Sequence, residues 1–309
     1  MKEKIVVLGS FVTDLAGRAG ALPLPGETIM GSSFKMGPGG KGSNQAVAAH
    51  RMGADITLIT KVGNDVFGKA AISFYQSEGM DTSYILVDKE HETGAALILV
   101  DENTAQNAIL VVSGACAKFT KEDLSHCTPL LESAGVLLLQ HEINFDVQYA
   151  AIDIARATGA LIVLNPAPAM DVPVDVLQKI DVITPNETEA KGLTGVSIET
   201  SEDAARAALV LIERGIGKVV ITLGALGAYA TDGNREEYLP CLPVEAIDTT
   251  GAGDAFNGAF ATALAEGNDV FTAQRYGNTA GALSVTKPGT APAMPTRAEV
   301  EQLYKRHYL

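Results

Sequence analysis

Four short apolar runs between residues 136 and 222 decide the fold: Val136-Leu-Leu-Leu139, Leu161-Ile-Val-Leu164, Val182-Ile-Thr184 and Val219-Val-Ile-Thr222. Each run has the length and composition of a buried strand. Helical patterns around residues 146–158 and 202–214 separate them. Strands that alternate with helices pair in parallel and are covered on both faces. The sequence therefore predicts an α/β fold with a doubly wound, mostly parallel sheet.

Two other segments predict a smaller β layer. Residues 11–36 are interrupted by Gly and Pro, and residues 94–113 hold two apolar runs joined by a polar turn, as in a β-hairpin. Short strands of mixed polarity cannot form a core of their own. We expect these two segments to form a β-sheet lid, and we expect the main α/β domain to consist of residues 1–10, 37–93 and 114–309.

The composition argues against several classes of protein. The 309 residues include 37 acidic side chains and 23 Lys or Arg, for a formal net charge of −14, which repels nucleic acid and anionic membranes. No apolar run reaches the ~18 residues of a membrane span, and the first apolar run is too short for a signal peptide. The three cysteines and five histidines lack disulfide or zinc spacing. We expect a cytoplasmic protein that acts on small molecules.

The segment Gly37-Pro-Gly-Gly-Lys41-Gly-Ser-Asn44 is the first candidate site. It precedes an Ala-rich helical pattern, so its amide groups lie at a helix N-terminus and can bind hydroxyls or an anion together with Lys41 and Asn44. The segment contains G-x-G-x-x-G, but no buried strand precedes it and no acid ends the next strand, so the dinucleotide interpretation is weak. A simple Gly-rich connection into the helix is the other interpretation.

The segment Asp248-Thr-Thr-Gly251-Ala-Gly253-Asp254 is the second candidate site. It opens a helix, and its glycines leave amide groups accessible beside the Asp254 carboxylate. In phosphoryl transfer such amides stabilise the charge on the transferred group, while a carboxylate accepts the proton of the acceptor hydroxyl. An acid that only stabilises a helix N-terminus would give the same pattern.

Three further segments follow predicted strands, at the edge of the sheet where open α/β folds bind ligands: Asn165-Pro-Ala-Pro168, Asn186-Glu-Thr-Glu189 and Thr222-Leu-Gly224-Ala-Leu-Gly227. Structural interpretations exist as well. Asn186 fits a helix N-cap, the two glutamates fit partners of the helix dipole, and the last segment fits a tight hairpin turn.

Together these segments resemble the ribokinase family of carbohydrate kinases. The first two candidate sites are similar to its two signatures, Asn186–Glu189 is similar to its N-x-x-E motif, and the remaining segments occur in the same order. The resemblance extends from Gly9 to about Pro292. It implies a doubly wound domain with a small β lid and a homodimer formed through the lid. It also implies ATP-dependent phosphorylation of a sugar hydroxymethyl group, most similar to the conversion of D-ribose to D-ribose 5-phosphate.

The resemblance implies roles for individual residues. Asp254 would be the catalytic base, and the amides of Ala252 and Gly253, after Gly251, would form an anion hole. The sugar would contact Asp14, Gly40, Lys41, Asn44 and Glu142, with Val12 beside them. ATP would bind at Asn186, Thr222, Gly224, Gly227 and Asn278, and Glu189 would hold Mg²⁺ through water. A K⁺ site, mostly of carbonyls, would lie near Asp248, Thr250, Ser284, Lys287, Gly289 and Ala293.

Two positions depart from the pattern of the family's ribose kinases. Val12 replaces an Asn, as an apolar residue does in deoxyribokinases, and Cys116 replaces the Asn of a Gly-Ala-Asn segment. Both changes leave 2-deoxyribose, another sugar or a nucleoside open as the substrate. A nicotinamide oxidoreductase and a non-catalytic sugar-binding regulator are alternatives from other classes. The intact Gly251-Ala-Gly253-Asp254 segment argues against lost catalysis.

Overall fold

The computed structural model describes residues 3–104 and 106–309, and the secondary structure below refers to those residues. The strands are β1 (Ile5–Leu8), β2 (Val12–Ala19), β3 (Ser33–Gly39), β4 (Ile56–Gly63), β5 (Ile85–Asp88), β6 (Thr93–Asp101), β7 (Asn107–Gly114), β8 (Val136–Gln140), β9 (Leu161–Asn165), β10 (Val182–Ile183), β11 (Lys218–Thr222), β12 (Ala228–Thr231) and β13 (Glu236–Leu239). The helices are α1 (Lys41–Arg51), α2 (Val66–Glu78), α3 (Lys121–Glu132), α4 (Phe145–Ala157), α5 (Val174–Leu177), α6 (Glu187–Thr194), α7 (Ser201–Glu213), α8 (Ala252–Ala265), α9 (Val270–Ser284) and α10 (Arg297–Tyr308).

Nine of these strands form the main sheet, in the order β13-β12-β11-β10-β9-β8-β1-β4-β5. The pairs from β11 to β5 are parallel, while β12 and β13 add antiparallel strands at one edge. The central strands β1 and β8 are buried along their whole length, which explains their continuous apolar sequences. The predicted α/β fold with a mostly parallel sheet is confirmed.

Some elements have no counterpart in the sequence-based prediction, among them α3 and β5. Helix α3 contains Pro129 inside it, and a proline there argues against a helix when only the sequence is read. Strand β5 has four residues and pairs only with β4 at the edge of the sheet. A strand this short has too few residues to show a period in its burial.

Four strands form a second, smaller sheet in the order β3-β2-β6-β7. Strands β6 and β7 form the expected hairpin, and β2 pairs parallel to β6 and antiparallel to β3. Large apolar side chains of this sheet are exposed, among them Phe34, Leu97, Leu110 and Val112. The sheet therefore presents an apolar surface that this chain does not cover.

Helices α1 and α8 approach each other closely because Gly258 lies between them. A Cβ atom at Gly258 would be 2.4 Å from the Cβ of Ala48 and 2.6 Å from the carbonyl oxygen of Gln45, both on α1. Gly258 lies one helical turn after Asp254 on the same side of α8. The missing side chain thus brings α1 within reach of Asp254.

Within residues 3–104 and 106–309, no helix combines the length and the apolar character that a membrane crossing needs.

We predict that Gly258→Ala destabilises the protein although alanine favours helices. The added methyl group forces α1 and α8 apart, and overpacking of this kind costs ~1–3 kcal/mol. Gly192→Ala on α6 is the matched control, because its Cβ would make an ordinary contact at 3.4 Å with Ala169. It should gain up to ~1 kcal/mol from helix propensity. Urea unfolding measures both changes, and equal stability of Gly258→Ala and wild type would contradict the close packing.

Candidate active site

The start of α1 packs directly on the chain segment that follows β1. A Cβ atom at Gly42 would lie 2.6 Å from the Cα of Gly9, and one at Gly40 would lie 2.9 Å from backbone atoms of residues 10–12. Gly40 also has a φ of 89°, which favours glycine. The amide of Ser43 donates to the carbonyl of Ser10 at 2.9 Å. The Gly-rich segment therefore holds the N-terminus of α1 against the end of β1.

Asp14 lies on β2 and faces this helix start. A Cβ atom at the neighbouring Gly39 would be 2.1 Å from the Asp14 carboxylate, so the glycine leaves room for it. The hydroxyl of Thr290 lies 3.0 Å from Oδ2 of Asp14 and 2.9 Å from the carbonyl oxygen of Pro38. Burial raises the pKa of Asp14 to about 6; the Thr290 hydroxyl opposes this shift, and the nearby carboxylates of Asp254 and Glu142 add to it.

Glu142 follows β8 and also contacts the start of α1. Its Oε2 accepts a hydrogen bond from the amide of Lys41 at 2.9 Å and another from the hydroxyl of Ser10. A carboxylate at a helix N-terminus is stabilised by the free amides there. Glu142 thus binds α1 and the end of β1 together.

Asp254 lies at the beginning of α8 and is 7% exposed. Its Oδ2 accepts a hydrogen bond from Nδ2 of Asn44 at 2.9 Å, and its Oδ1 accepts one from Nε2 of Gln45 at 3.0 Å. Burial raises the pKa of Asp254, although the Lys41 ammonium and both hydrogen bonds oppose that shift. The two sequence signatures therefore meet at this carboxylate.

Lys41 lies among acidic groups. Burial alone would lower its pKa, but the carboxylates of Asp254, Glu142 and Glu189 outweigh burial and raise the pKa. The ammonium therefore stays charged near neutral pH. It is a cation in a chain with a strong negative charge, at the place where an anionic group would need one.

The backbone before Asp254 is suited to an anion. Gly251 precedes α8 with a φ of 80°, a conformation that favours glycine. Gly253 is exposed, and apart from its chain neighbours and the backbone of α8, no heavy atom of the described residues lies within 4 Å of the position that its Cβ would occupy. The first amides of a helix point outwards and carry partial positive charge. A negatively charged group can therefore approach these amides from the open side.

The predicted nucleotide residues gather at the ends of β10 and β11. Asn186 and Thr222 form a parallel bridge, and the amide of Thr222 donates to the carbonyl of Pro185 at 3.0 Å. Gly224 follows at a φ of 50° with open space around it, except for Oε1 of Glu187 at 3.6 Å from the position of its Cβ. Exposed backbone at such a turn can form a platform for a planar base.

Gly227, before β12, and Asn278, on α9, both contact the segment that follows β13. A Cβ atom at Gly227 would lie 2.6 Å from the amide nitrogen of Cys241. Asn278 on α9 donates through Nδ2 to the carbonyl of Pro240 at 2.9 Å and to the hydroxyl of Tyr308 at 3.0 Å. Both residues therefore border residues 240–241.

Glu189, which the family resemblance placed near Mg²⁺, forms a capping box with Asn186 at the start of α6. It is buried, and its Oε2 accepts the backbone amide of Asn186 at 2.9 Å while its Oε1 accepts the Asn186 side chain at 3.1 Å. Burial raises the pKa of Glu189, against the effects of the Asn186 backbone and the Lys41 ammonium. Among the residues that the structure describes, no three His, Cys, Asp or Glu side chains converge as a metal cluster. A role through water needs no such cluster.

Asp248 joins the two segments that the sequence suggested for K⁺. Its Oδ2 accepts the amide of Gly289 and its Oδ1 accepts the amide of Thr250, each at 3.0 Å. Burial would raise the pKa of Asp248, but these hydrogen bonds outweigh burial and lower it. The Lys287 ammonium instead pairs with Glu299 at 2.7 Å. An ammonium group has no lone pair, so Lys287 could contribute only its carbonyl oxygen to a site of oxygen donors.

Ser284 and Ala293 lie at the two ends of the same loop. The carbonyl of Ser284 accepts the amide of Lys287 at 3.1 Å, and the amide of Ala293 donates to the carbonyl of Thr290 at 2.9 Å. An ionised carboxylate with several carbonyl oxygens is a donor set that hard cations prefer. The loop therefore offers the type of donor that a K⁺ ion would need.

Comparison with known proteins shows the family to which the chain belongs. Residues 2–297 match the pfkB family carbohydrate kinase profile. The chain is a member of that family. A ribokinase of Haemophilus influenzae is 40% identical over 299 residues, covering 97% of both chains. A deoxyribokinase of Salmonella typhi is 36% identical over 293 residues, covering 94% of this chain and 95% of the relative.

A solved structure agrees with the family assignment. Arabidopsis thaliana ribokinase complexed with ribose and ATP superimposes with a TM-score of 0.90 at 31% identity, over 99% of both chains. The expected resemblance to ribokinases and the expected α/β fold with a smaller sheet are confirmed. Membership of a carbohydrate kinase family argues against the nicotinamide oxidoreductase alternative.

Sequence reasoning on this carbohydrate kinase missed two residues of the site. Thr290 contacts Asp14, and Gln45 contacts Asp254. The helical period places Gln45 on the same side of α1 as Lys41 and Asn44, but nothing in the period marks Gln45 as a partner of Asp254. Nothing in the sequence connects Thr290 with Asp14, which lies 276 residues earlier.

We predict that Asp14→Asn stabilises the unliganded kinase at pH 7.5 and much less at pH 4.5. The folded-state pKa of Asp14 is about 6, above its ordinary 3.8, so folding favours the neutral carboxyl. That stabilising contribution is complete below the unfolded pKa and is lost as the pH rises through 6. Asparagine mimics the neutral carboxyl at every pH, so the gain at pH 7.5 should be ~1–3 kcal/mol.

Thermal melts at both pH values measure this difference. Asp171→Asn, an exposed aspartate, is the control and should shift the melting temperature equally at the two pH values. A gain from Asp14→Asn that does not depend on pH would show that the carboxyl is not destabilised by its burial.

Proposed function

We propose that the protein transfers the γ-phosphoryl group of ATP to the hydroxymethyl group of D-ribose and forms D-ribose 5-phosphate. The observation that carries this proposal is the buried Asp254 carboxylate, held by Asn44 of the first signature and adjacent to the open backbone at Gly253. Identity of 40% to a ribokinase and a matching ribokinase structure with ribose and ATP support the choice of sugar.

The sugar would bind between β2, α1 and the end of β8. The carboxylates of Asp14 and Glu142 accept hydrogen bonds from hydroxyls, and Lys41 and Asn44 can donate to them. Oδ1 of Asn44 is buried and has no hydrogen-bond partner within the described residues, so it can accept a sugar hydroxyl. These groups fix the sugar with its hydroxymethyl group towards Asp254.

Asp254 would then accept the hydroxymethyl proton as the oxygen attacks the γ-phosphorus. The loss of that proton lags behind bond breaking in a loose transition state, so Asp254 acts late. The amides of Ala252 and Gly253 would stabilise the charge on the transferred group, because they are fixed before the reaction begins. Mg²⁺, held through water near Glu189, would neutralise charge on the phosphates.

The smaller sheet would act as a lid made of residues 11–36 and 94–113. A closed lid would exclude water, which otherwise competes with the sugar for the phosphoryl group. The exposed apolar side chains of this sheet support a homodimer through the lid. Light scattering tests this proposal, and the mass of one 32.2 kDa chain at micromolar concentration would contradict the dimer.

A K⁺ ion at the Asp248 loop would order the anion hole without touching the nucleotide. The loop leads directly through Thr250 into Gly251 and Ala252. Rates in K⁺, Na⁺ and Tris at equal ionic strength test this proposal, with the highest rate expected in K⁺. Equal rates in all three would show that the loop needs no ion.

Three cysteines without a disulfide suit the reducing cytoplasm, where we propose the protein acts.

ADP release, measured with a panel of sugars, tests the proposed function. The panel contains ribose, 2-deoxyribose, fructose 6-phosphate and a nucleoside. We expect the highest kcat/KM with ribose. Sugar binding without ADP release would indicate a non-catalytic regulator, and a better substrate elsewhere in the panel would replace ribose.

We predict that Asp254→Asn lowers kcat by ~10²-fold or more while ATP still binds. The asparagine has nearly the same shape but cannot accept the proton. Calorimetric titration with ATP measures binding, and the coupled ADP assay measures kcat. The exposed Asp171→Asn change is the control and should leave both unchanged. Turnover near the wild-type rate in Asp254→Asn would remove Asp254 from the mechanism.

We predict that Val12→Asn raises the preference for ribose over 2-deoxyribose. Val12 shares one face of β2 with Asp14 and is 5% exposed, between Gly39 and Gly94 on the neighbouring strands. A sugar hydroxyl buried against valine without a partner costs ~1–3 kcal/mol, or ~5- to 150-fold in affinity. Because a deoxyribokinase is 36% identical to this chain, 2-deoxyribose is the sugar to compare with ribose.

The ratio of kcat/KM for the two sugars measures this effect. Val87→Asn, on the exposed side of β5, is the control and should leave the ratio unchanged. An unchanged ratio in Val12→Asn would mean that Val12 does not select the sugar.

A further inference from the structure

Gln45 forms a hydrogen-bond network that the proposed mechanism does not use. Its side chain is 0% exposed, and its Nε2 donates to Oδ1 of Asp254 and to Oδ1 of Asn165, each at 3.0 Å. Its Oε1 accepts from Nε2 of Gln140 at 2.7 Å. Both amide hydrogens and the carbonyl oxygen are engaged, so the amide has one orientation.

The partners of Gln45 are themselves anchored to the sheet. Asn165 ends β9 and donates through Nδ2 to the carbonyl of Thr184 at 2.8 Å. Gln140 ends β8, and its carbonyl accepts a hydrogen bond from the side chain of Gln148 on α4. Gln45 therefore connects Asp254 to the ends of two buried strands, which cannot shift without disturbing the core.

The neighbouring Asn44 differs in one respect. It donates to the other oxygen of Asp254, but its own Oδ1 is buried without a partner among the described residues. Asn44 thus keeps an atom for a substrate, whereas Gln45 has none left. Asn44 and Gln45 thus donate to the same carboxylate, but Asn44 is suited to bind substrate as well.

We propose that Gln45 is a positioning residue for Asp254: it fixes the direction of the carboxylate by tying Oδ1 to β8 and β9, and it stabilises the ionised form that accepts the proton. This inference rests on the proposed kinase reaction and adds a residue to it. Gln45 acts through Asp254, and its other side-chain hydrogen bonds are with Asn165 and Gln140.

Several charged groups also act on Asp254 and set the background for this effect. Lys41 at the start of α1 favours its ionised form, and Glu142 after β8 disfavours it. Asp14 on β2 and Glu189 on α6 are further acids whose charge is coupled to Asp254. With these groups unchanged, loss of the Gln45 hydrogen bond raises the pKa of Asp254, because that bond favours the charged carboxylate.

The test compares Gln45→Met and Gln45→Glu with wild type. We expect Gln45→Met to lower kcat by ~10- to 100-fold, to change both KM values by less than ~3-fold, and to move the acidic limb of the kcat profile up by ~0.5–1 pH unit. Gln45→Glu keeps the size of the side chain but adds an acid beside Asp254, so its limb should also move up. Gln274→Met replaces another glutamine with 0% exposure and is the control, expected to move neither kcat nor its pH profile.

The readout of kcat against pH separates positioning from a purely structural role. A folded Gln45→Met variant with the wild-type profile would overturn the proposal. If that variant does not fold, Gln45→Glu decides in the same way. If the wild-type protein releases no ADP with any sugar, both the kinase proposal and the role of Gln45 are wrong. If the wild type is active but the Gln45 variants keep its pH profile, only the role of Gln45 is wrong.

Discussion

The site depends on one buried carboxylate held between two helices. Burial of an ionised group is costly unless hydrogen bonds and an opposite charge compensate for it. Asp254 receives two hydrogen bonds from α1 and lies in the field of Lys41 on the same helix. Both hydrogen bonds and the opposite charge come from α1, so a displacement of α1 from α8 would weaken all three. The close helix contact at Gly258 is therefore a requirement of the chemistry as well as of the packing.

The main sheet explains why distant residues meet at this carboxylate. Strands β1, β8, β9, β10 and β11 are parallel neighbours, so their carboxyl ends share one edge. Ser10, Glu142, Asn165, Asn186 and Thr222 follow or end these strands. The order of the strands sets the order of the functions along that edge. The proposed sugar contacts lie towards β1 and β8, and the proposed nucleotide contacts lie towards β10 and β11.

Much of this arrangement could be predicted from the sequence, for reasons that differ from residue to residue. Apolar runs predicted the central strands because buried parallel strands have no polar face. Lys41, Asn44 and Asp254 were found because Gly-rich helix starts are visible in a sequence. Asp14 and Glu142 came from family resemblance alone, since an isolated acid after a strand has no local signature.

Other features needed the structure. The contact between Gln45 and Asp254 joins residues 209 positions apart, and a glutamine within a helix has no pattern that sets it apart from a surface residue. The role of Gly258 was hidden for the same reason, because its meaning lies in the helix opposite. Helix α3 was obscured by its internal proline. These are tertiary facts that neither periodicity nor a motif records.

The hydroxyl of Thr290 has a consequence for how Asp14 can exchange partners. It lies within hydrogen-bond distance of both Asp14 and the Pro38 carbonyl, but it carries a single hydrogen and serves one acceptor at a time. When another donor occupies Asp14, the hydrogen can rotate to Pro38 and remain bonded. Asp14 can thus bind another donor and release it again while the Thr290 hydroxyl stays hydrogen-bonded. The exchange of partners therefore costs little and is reversible.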